Sequence, residues 1–368
     1  MSVSSESTAP TIEIQIQRRK LGKTRVAYRP AAILEDGEIR VAVDRFALTA
    51  NNVSYAVIGD MFGYWKFYPV DDTWGIIPVW GFADVVESRT HAVREGERIW
   101  GFLPMASHAV LRPSSVTQSS WIDDTPHRRD LPGVYNSYQR VDHDPPELRA
   151  MEDQRSLMFP LFATSFVLQD WLGDNAFFGA RQVVLTSASS KTGFGLANLL
   201  ARDAAHPVHI VGLTSTANID FCKGLGTFDA VLPYDRVTDL DPSVATALVD
   251  MSGSANTIAS VHEHFGENLV LSSIVGVTHW QERGRQRTLP GAEPTLFFAP
   301  AQFMKRDEEW GPGELLRRAF GESARIAKEV AGSVSIEHVV SAEASRKALD
   351  EMIAGTTAPS RGLILSVR

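Results

Sequence analysis

Ser187, Ala188, Ser189 and Ser190, followed by Lys191, Thr192, Gly193 and Gly195, stand between the apolar run Val183, Val184, Leu185 and leucines at helical spacing, Leu196, Leu199 and Leu200. A strand that turns sharply into a helix presents backbone N–H groups at the helix start, where the helix dipole favours an anion. Small side chains in that turn let a pyrophosphate approach, so the stretch is a candidate dinucleotide cradle. Gly193 and Gly195 would let the new helix lie close against the sheet. The strict glycine pattern is relaxed, since Ser187 and Lys191 stand where glycines are usual. Lys191 either reaches a cofactor phosphate or points outward from the turn. A triphosphate-binding loop is disfavoured, because it needs a glycine where Ser190 stands, directly before Lys191.

The next apolar run, 207–213, is followed by Thr214, Ser215, Thr216 and Asn218. An NAD-specific site usually places a carboxylate here to hold the ribose 2′-hydroxyl. The nearest acid, Asp220, comes later. Neutral side chains leave a 2′-phosphate unrepelled and Lys223 lies further along, so NADP is expected over NAD. Ser215 and Thr216 could equally do no more than cap a helix.

A second group of residues could meet a substrate. Asn51, Asn52, Ser54, Tyr55, Tyr64, Lys66 and Tyr68 gather polar and aromatic groups around Gly59 and Gly63. Hydride delivery to a carbonyl or an enone creates an oxyanion that needs a hydrogen-bond donor. Tyr55 is the first choice for that donor, with Asn51, Tyr64 and Lys66 as further candidates; each alone is more commonly a packing or surface residue.

These residues need a scaffold, and the hydropathy pattern supplies one. Further apolar runs at 229–234, 245–250 and 268–272 alternate with helical patterns, implying a parallel doubly wound α/β sheet. Ahead of it, 11–17, 25–34 and 37–46 read as half-buried antiparallel strands, the last two joined by a turn at Glu35, Asp36 and Gly37. The chain of 368 residues is long enough for two cores. A net charge of -8 argues against nucleic acid or an anionic membrane surface as the partner. The single cysteine, Cys222, can close no intrachain disulfide and build no cysteine zinc cluster, which favours the cytoplasm. Residues 1–10 are polar, without the apolar core of a signal peptide, and a few disordered residues are expected there.

The segment 37–55, with its strand and Asn51-Asn52, resembles the catalytic-domain opening of medium-chain dehydrogenases/reductases, particularly their zinc-free quinone reductase branch, in which an asparagine-containing loop precedes a short helix. Residues 78–86 resemble that family's glycine-rich segment, and 93–102 its barrel turn and strand. Residues 163–172, 221–226, 341–355 and 362–367 resemble its crossing helix, second-helix ending and closing helix and strand. Ser187 to Thr192 and Phe297-Phe298-Ala299-Pro300 resemble the uncharacterised bacterial DUF2855 family. The resemblance implies a Rossmann sheet joined to a mostly β, GroES-like substrate domain. The substrate domain is expected over 1–160 with an insertion at about 112–157, the Rossmann domain over 161–305, and a return segment over 306–368.

Departures from the family pattern narrow the chemistry. Zinc-dependent members carry a cysteine and a His-Glu pair where Ala47 to Tyr55 and Trp80-Gly81-Phe82 stand here, so no catalytic zinc set can be assembled. His262 and His264 lie two apart on a helical stretch and are read as a solvated face. The proline-rich stretch 112–157 breaks both helices and strands and is read as an ordered insertion over the cleft, with a dimer arm or a disordered excursion as alternatives; Trp121, Tyr135 and Tyr138 would anchor it. The resulting expectation is a cytoplasmic, homodimeric, zinc-independent NADPH-dependent reductase of a small carbonyl, enone or quinone. A lyase, hydratase or retro-aldol enzyme in the same cleft, or a non-catalytic nucleotide-binding protein, are the alternatives.

Overall fold

The structure, a computed structural model, describes residues 9–276, 288–297 and 299–368. Residues 1–8, and Phe298 of the Phe297–Pro300 motif, lie outside them. The chain forms two compact units: Met1–Leu157 with Ile336–Arg368, and Met158–Ser335. No helix among the described residues is long and apolar enough to cross a membrane.

The first unit is mostly β. Strand β1 (Thr11–Gln17) pairs antiparallel with β2 (Thr24–Arg29) and with the short β4 (Trp74–Gly75). The larger sheet is built on β3 (Ile39–Leu48), β5 (Pro78–Ser88) and β6 (Arg98–Pro104), antiparallel neighbours in which Val43 faces Ala83 and Phe82 faces Trp100. β7 (His108–Leu111) adds to β3. The sheet continues from β6 through β10 (Ser137–Arg140) and β9 (Ser120–Asp123) to β8 (Pro113–Ser114).

Those last three strands correct the expectation that 112–157 would form neither helix nor strand. Its prolines stand at strand and turn starts, where a missing N–H costs nothing, and its aromatic residues fill the core. Trp121 and Tyr138 are fully buried and stacked at 4.5 Å. Buried Arg128 pairs with Asp123 and donates to the Tyr138 hydroxyl at 3.1 Å.

Among the described residues, the second unit contains six parallel strands: β11 (Gln182–Thr186), β12 (His209–Thr214), β13 (Ala230–Pro233), β14 (Thr246–Asp250), β15 (Leu269–Ile274) and β16 (Pro294–Leu296). Their spatial order, β13-β12-β11-β14-β15-β16, runs outward in both directions from β11, so the chain reverses direction across the sheet beside β11. Alternation along β11 explains its unbroken apolar run. Val183 and Leu185 pack with Leu196, Leu200 and Val249 on one face, and Val184 packs with Val211, Leu248 and Val261 on the other.

The chain returns to the first unit at Ile336, later than position 306. The helices Ala299–Trp310 and Glu314–Glu329 stay with the second unit because they are fastened within it. Asp170 accepts from Arg306 at 2.7 and 3.0 Å and from Gln302 at 2.8 Å, and Asn198 donates to Glu329 at 2.9 Å. β17 (Ser335–Val340), the helix Ala342–Ile353 and β18 (Arg361–Ser366) then close the larger sheet, with β18 against β3.

Candidate functional site

In the second unit, β11 ends at Thr186 and Ser187 takes a left-handed conformation with φ 45°. That turn sends the chain into the helix Lys191–Ala201, whose N-cap Ser190 accepts from the Gly193 N–H at 3.1 Å. The helix supplies no acceptor for the remaining N–H groups of its first turn, so its dipole and backbone together favour an anion there. A Cβ on Gly193 would come within 2.8 Å of the Ser187 carbonyl, so glycine is required for the turn to close on the helix. Gly195 meets a different neighbour from the one expected. Its missing Cβ makes room for Phe162 and Ser165 of the helix Glu152–Asp174, at 2.6 and 2.8 Å, rather than for the sheet.

The four small residues of the turn have separate tasks. Ala188 is fully buried, donates its N–H to Leu213 at 3.1 Å, and sets its methyl against Gly212. Ser189 accepts from Thr214 at 3.2 Å and from Asn218 at 3.1 Å, which ties the first turn to the end of β12. Thr214 is thereby committed to the scaffold, while Ser215, Thr216 and Lys223 are exposed beyond it. Thr192 is half-buried at the helix start, as is Lys191, and burial pulls the Lys191 ammonium down to about 8.

Two residues that support this turn were not picked out in the sequence. The Tyr234 hydroxyl accepts from the Ser187 N–H at 3.1 Å. Asp250, at the end of β14, accepts from Thr186, from Ser252 Oγ at 2.6 Å and from the Gly253 N–H at 2.8 Å. Burial still raises the Asp250 carboxyl above its ordinary value. Both stand at the carboxyl ends of strands of the β11 sheet, Tyr234 after β13 and Asp250 at the end of β14, where ligands of parallel sheets bind, and that position was the available signal.

In the first unit, Asn51 and Asn52 lie in the first turn of the helix Ala50–Val57, and not in a loop ahead of it. Asn52 Oδ1 accepts from the Thr49 N–H at 2.8 Å and Asn52 Nδ2 donates to the Pro78 carbonyl at 3.1 Å, so Asn52 holds the helix to β5. The helix turns Tyr55 inward, where it stacks on Tyr64 with ring centroids 4.4 Å apart and meets Phe102 edge-on at 5.6 Å. Tyr135, from the 112–157 segment, completes the group with its hydroxyl 3.0 Å from that of Tyr64. Tyr135 was read in the sequence as an anchor only. Lys66 is exposed and outside this cluster.

Burial pushes the Tyr55 phenol well above its ordinary value, and Tyr135 adds to the effect while Trp80 and Asn51 oppose it. The Trp80 indole N–H has no hydrogen bond of good geometry among the described residues, yet it lies close enough to the Tyr55 oxygen to favour its ionised form. A buried donor left unmatched costs about 1–3 kcal/mol, which marks a place where a ligand's oxygen would be welcome. The arrangement can therefore offer a neutral phenol proton to a developing oxyanion, with the Trp80 and Asn51 N–H groups beside the phenol oxygen that gives it up.

Among the described residues, no three His, Cys, Asp or Glu side chains converge in a set that could hold a metal. His262 is not on a solvated face, as its spacing suggested. It is fully buried, with Nδ1 2.8 Å from the Pro290 carbonyl and Nε2 2.8 Å from Ser272 Oγ, and burial lowers its pKa. His264 Nε2 lies 2.9 Å from the Leu240 carbonyl. Burial pushes the Cys222 thiol up to about 11, which suits packing rather than nucleophilic attack.

The family described as protein of unknown function (DUF2855) matches residues 46–358. No curated protein matches the sequence. Solved structures resemble it over nearly its whole length. A protein assigned as an NADPH:quinone reductase from Mesorhizobium loti is 12% identical, with a TM-score of 0.62 and 99% of each chain covered. CurA from Vibrio vulnificus, solved in complex with NADPH, is 11% identical with a TM-score of 0.57, covering 97% of this chain and 99% of its own. The human synaptic vesicle membrane protein VAT-1 homolog-like protein is 13% identical with a TM-score of 0.54, covering 98% and 99%. Identities this low speak of the fold alone, which is the Rossmann and GroES-like pair of the medium-chain dehydrogenases/reductases. With the profile match spanning most of its length, the chain belongs to the DUF2855 family.

Proposed function

We propose that this protein is a zinc-independent, NADPH-dependent reductase of a small carbonyl, enone or quinone compound. The observation that carries the proposal is the β11 turn: a left-handed Ser187, small residues through Ser190, and the N-terminus of the helix Lys191–Ala201 at the centre of a doubly wound sheet. That shape fits a pyrophosphate. The structural likeness to an NADPH complex supports the same cofactor. Ser215 and Thr216 present neutral exposed groups after β12, and Lys223 is an exposed cation nearby in sequence, which suits a 2′-phosphate.

When bound, NADPH supplies a hydride. The protein's part is to hold the phosphates at the turn and to offer the Tyr55 proton to the substrate oxygen as charge develops on it, with Asn51 and Trp80 steadying the phenolate left behind. The zinc-free character of the proposal is supported by Ala47 to Tyr55 and Trp80 to Phe82, which offer no histidine or cysteine ligand.

The test is a thermal-shift titration, since a cofactor that binds only the folded chain raises its midpoint. NADPH is expected to raise it more than NADH at equal concentration. Equal shifts, or a larger shift with NADH, would reject the NADP assignment. Purified protein is also expected to carry far less than one zinc per chain and to keep its turnover in a chelator; stoichiometric zinc would overturn that part of the proposal.

A further inference from the structure

We infer that Tyr135 returns to Tyr55 the proton that the substrate takes from it, with Tyr64 aiming Tyr135; the inference rests on the reductase reading above. Three observations support it. The Tyr64 and Tyr135 hydroxyls are 3.0 Å apart, and the Tyr135 ring meets those of Tyr55 and Tyr64 edge-on at 6.4 and 5.7 Å. Tyr55 and Tyr64 are only 6% and 7% exposed, whereas Tyr135 is half-buried and so the most open residue of the three, with burial pushing its phenol well above the ordinary value as well. The Tyr55 phenol also senses the Tyr135 oxygen directly, since Tyr135 contributes to holding it in the protonated form.

A buried acid that gives up its proton must be recharged before the next turnover. Hydride addition to the β-carbon of an enone leaves an enolate. Its oxygen forms an O–H bond with the Tyr55 proton as the Tyr55 O–H bond breaks. The Tyr55 oxygen then takes the Tyr135 proton, and water at the open edge of Tyr135 replaces it. Each cycle thus moves one hydride from NADPH and one proton from solvent into the substrate, and the enol rearranges to the saturated ketone. The 112–157 segment would in this way complete the site as well as extend the sheet.

Single-turnover mixing of the enzyme with NADPH and cyclohexenone or benzoquinone, read by NADPH absorbance and by an indicator dye for proton uptake, tests this. In the wild type the two signals should coincide. In Tyr135→Phe, which keeps the ring contacts, NADPH loss in the first turnover should stay near the wild-type rate while proton uptake lags by about a hundredfold, at the lower edge of what positioned proton transfer contributes. Tyr64→Phe should give a smaller lag in the same direction. A role in packing alone would slow both signals together or neither, so proton uptake keeping pace with NADPH loss in both variants would overturn the relay. A wild type that oxidises NADPH with neither acceptor would instead refute the reductase reading, and the relay with it.

Discussion

Tyr55→Phe should lower turnover by about 10²–10³ while leaving NADPH binding unchanged, because one donor aimed at a developing oxyanion is typically worth that much. The variant keeps the stacking on Tyr64 and the edge contact with Phe102, and removes only the hydroxyl. Its cost to stability is the loss of a buried hydroxyl and its contacts with Asn51, Trp80 and Tyr135, on the order of 1 kcal/mol. The catalytic loss corresponds to about 2.7–4 kcal/mol of transition-state stabilisation, so the two effects separate clearly in steady-state kinetics and a melting curve. Burial holds the phenol protonated well past its ordinary value, so Tyr55 itself should add no alkaline limb to the activity profile at neutral pH. Normal turnover in the variant would make Tyr55 a wall residue.

How far the sequence disclosed this site depended on how local the determinants were. The turn at 187–193 was legible because a buried strand, a helix start and the residues between them are contiguous, and their periodicities and small side chains declare them. Its supports were not. Tyr234 and Asp250 reach the turn through parallel pairing of β13 with β12 and of β14 with β11, a long-range arrangement that leaves no mark on local spacing. The 112–157 segment misled for a related reason. Its prolines suppress every local propensity signal, yet short strands beside β6 need few residues once Trp121, Tyr138 and Arg128 are buried. Tyr135 was hidden by the same effect, since only the closed sheet brings it to Tyr64. His262 was misjudged because two residues of spacing say which way a side chain points on a helix, and not whether another strand covers that side.

Lys191 should set the pH dependence of cofactor binding, and the direction follows from its environment. Burial in the free protein lowers its ammonium from an ordinary 10.5 to about 8. Below that value the folded chain carries a partly desolvated cation, a penalty that disappears as pH rises from there toward 10.5, so this residue makes the unliganded protein more stable in alkali. A cofactor phosphate beside it reverses the preference, because the anion favours the charged amine. Binding should therefore draw in a proton near pH 8, and NADPH affinity should be greatest below about 8 and fall above it. Lys191→Met tests both halves. Removing a charge-assisted contact worth roughly 1.5–3 kcal/mol should weaken NADPH binding at neutral pH by roughly ten- to a hundredfold and flatten its pH dependence. The same variant without cofactor should melt no lower than the wild type at neutral pH, since it lacks the buried ammonium. Calorimetric titration across the neutral to alkaline range, repeated with NADH, separates the two phosphates that Lys191 could meet. A loss for both cofactors places the contact at the pyrophosphate, and a loss for NADPH alone places it at the 2′-phosphate. Wild-type affinity that is independent of pH and matched by the variant would show Lys191 pointing away from the cofactor.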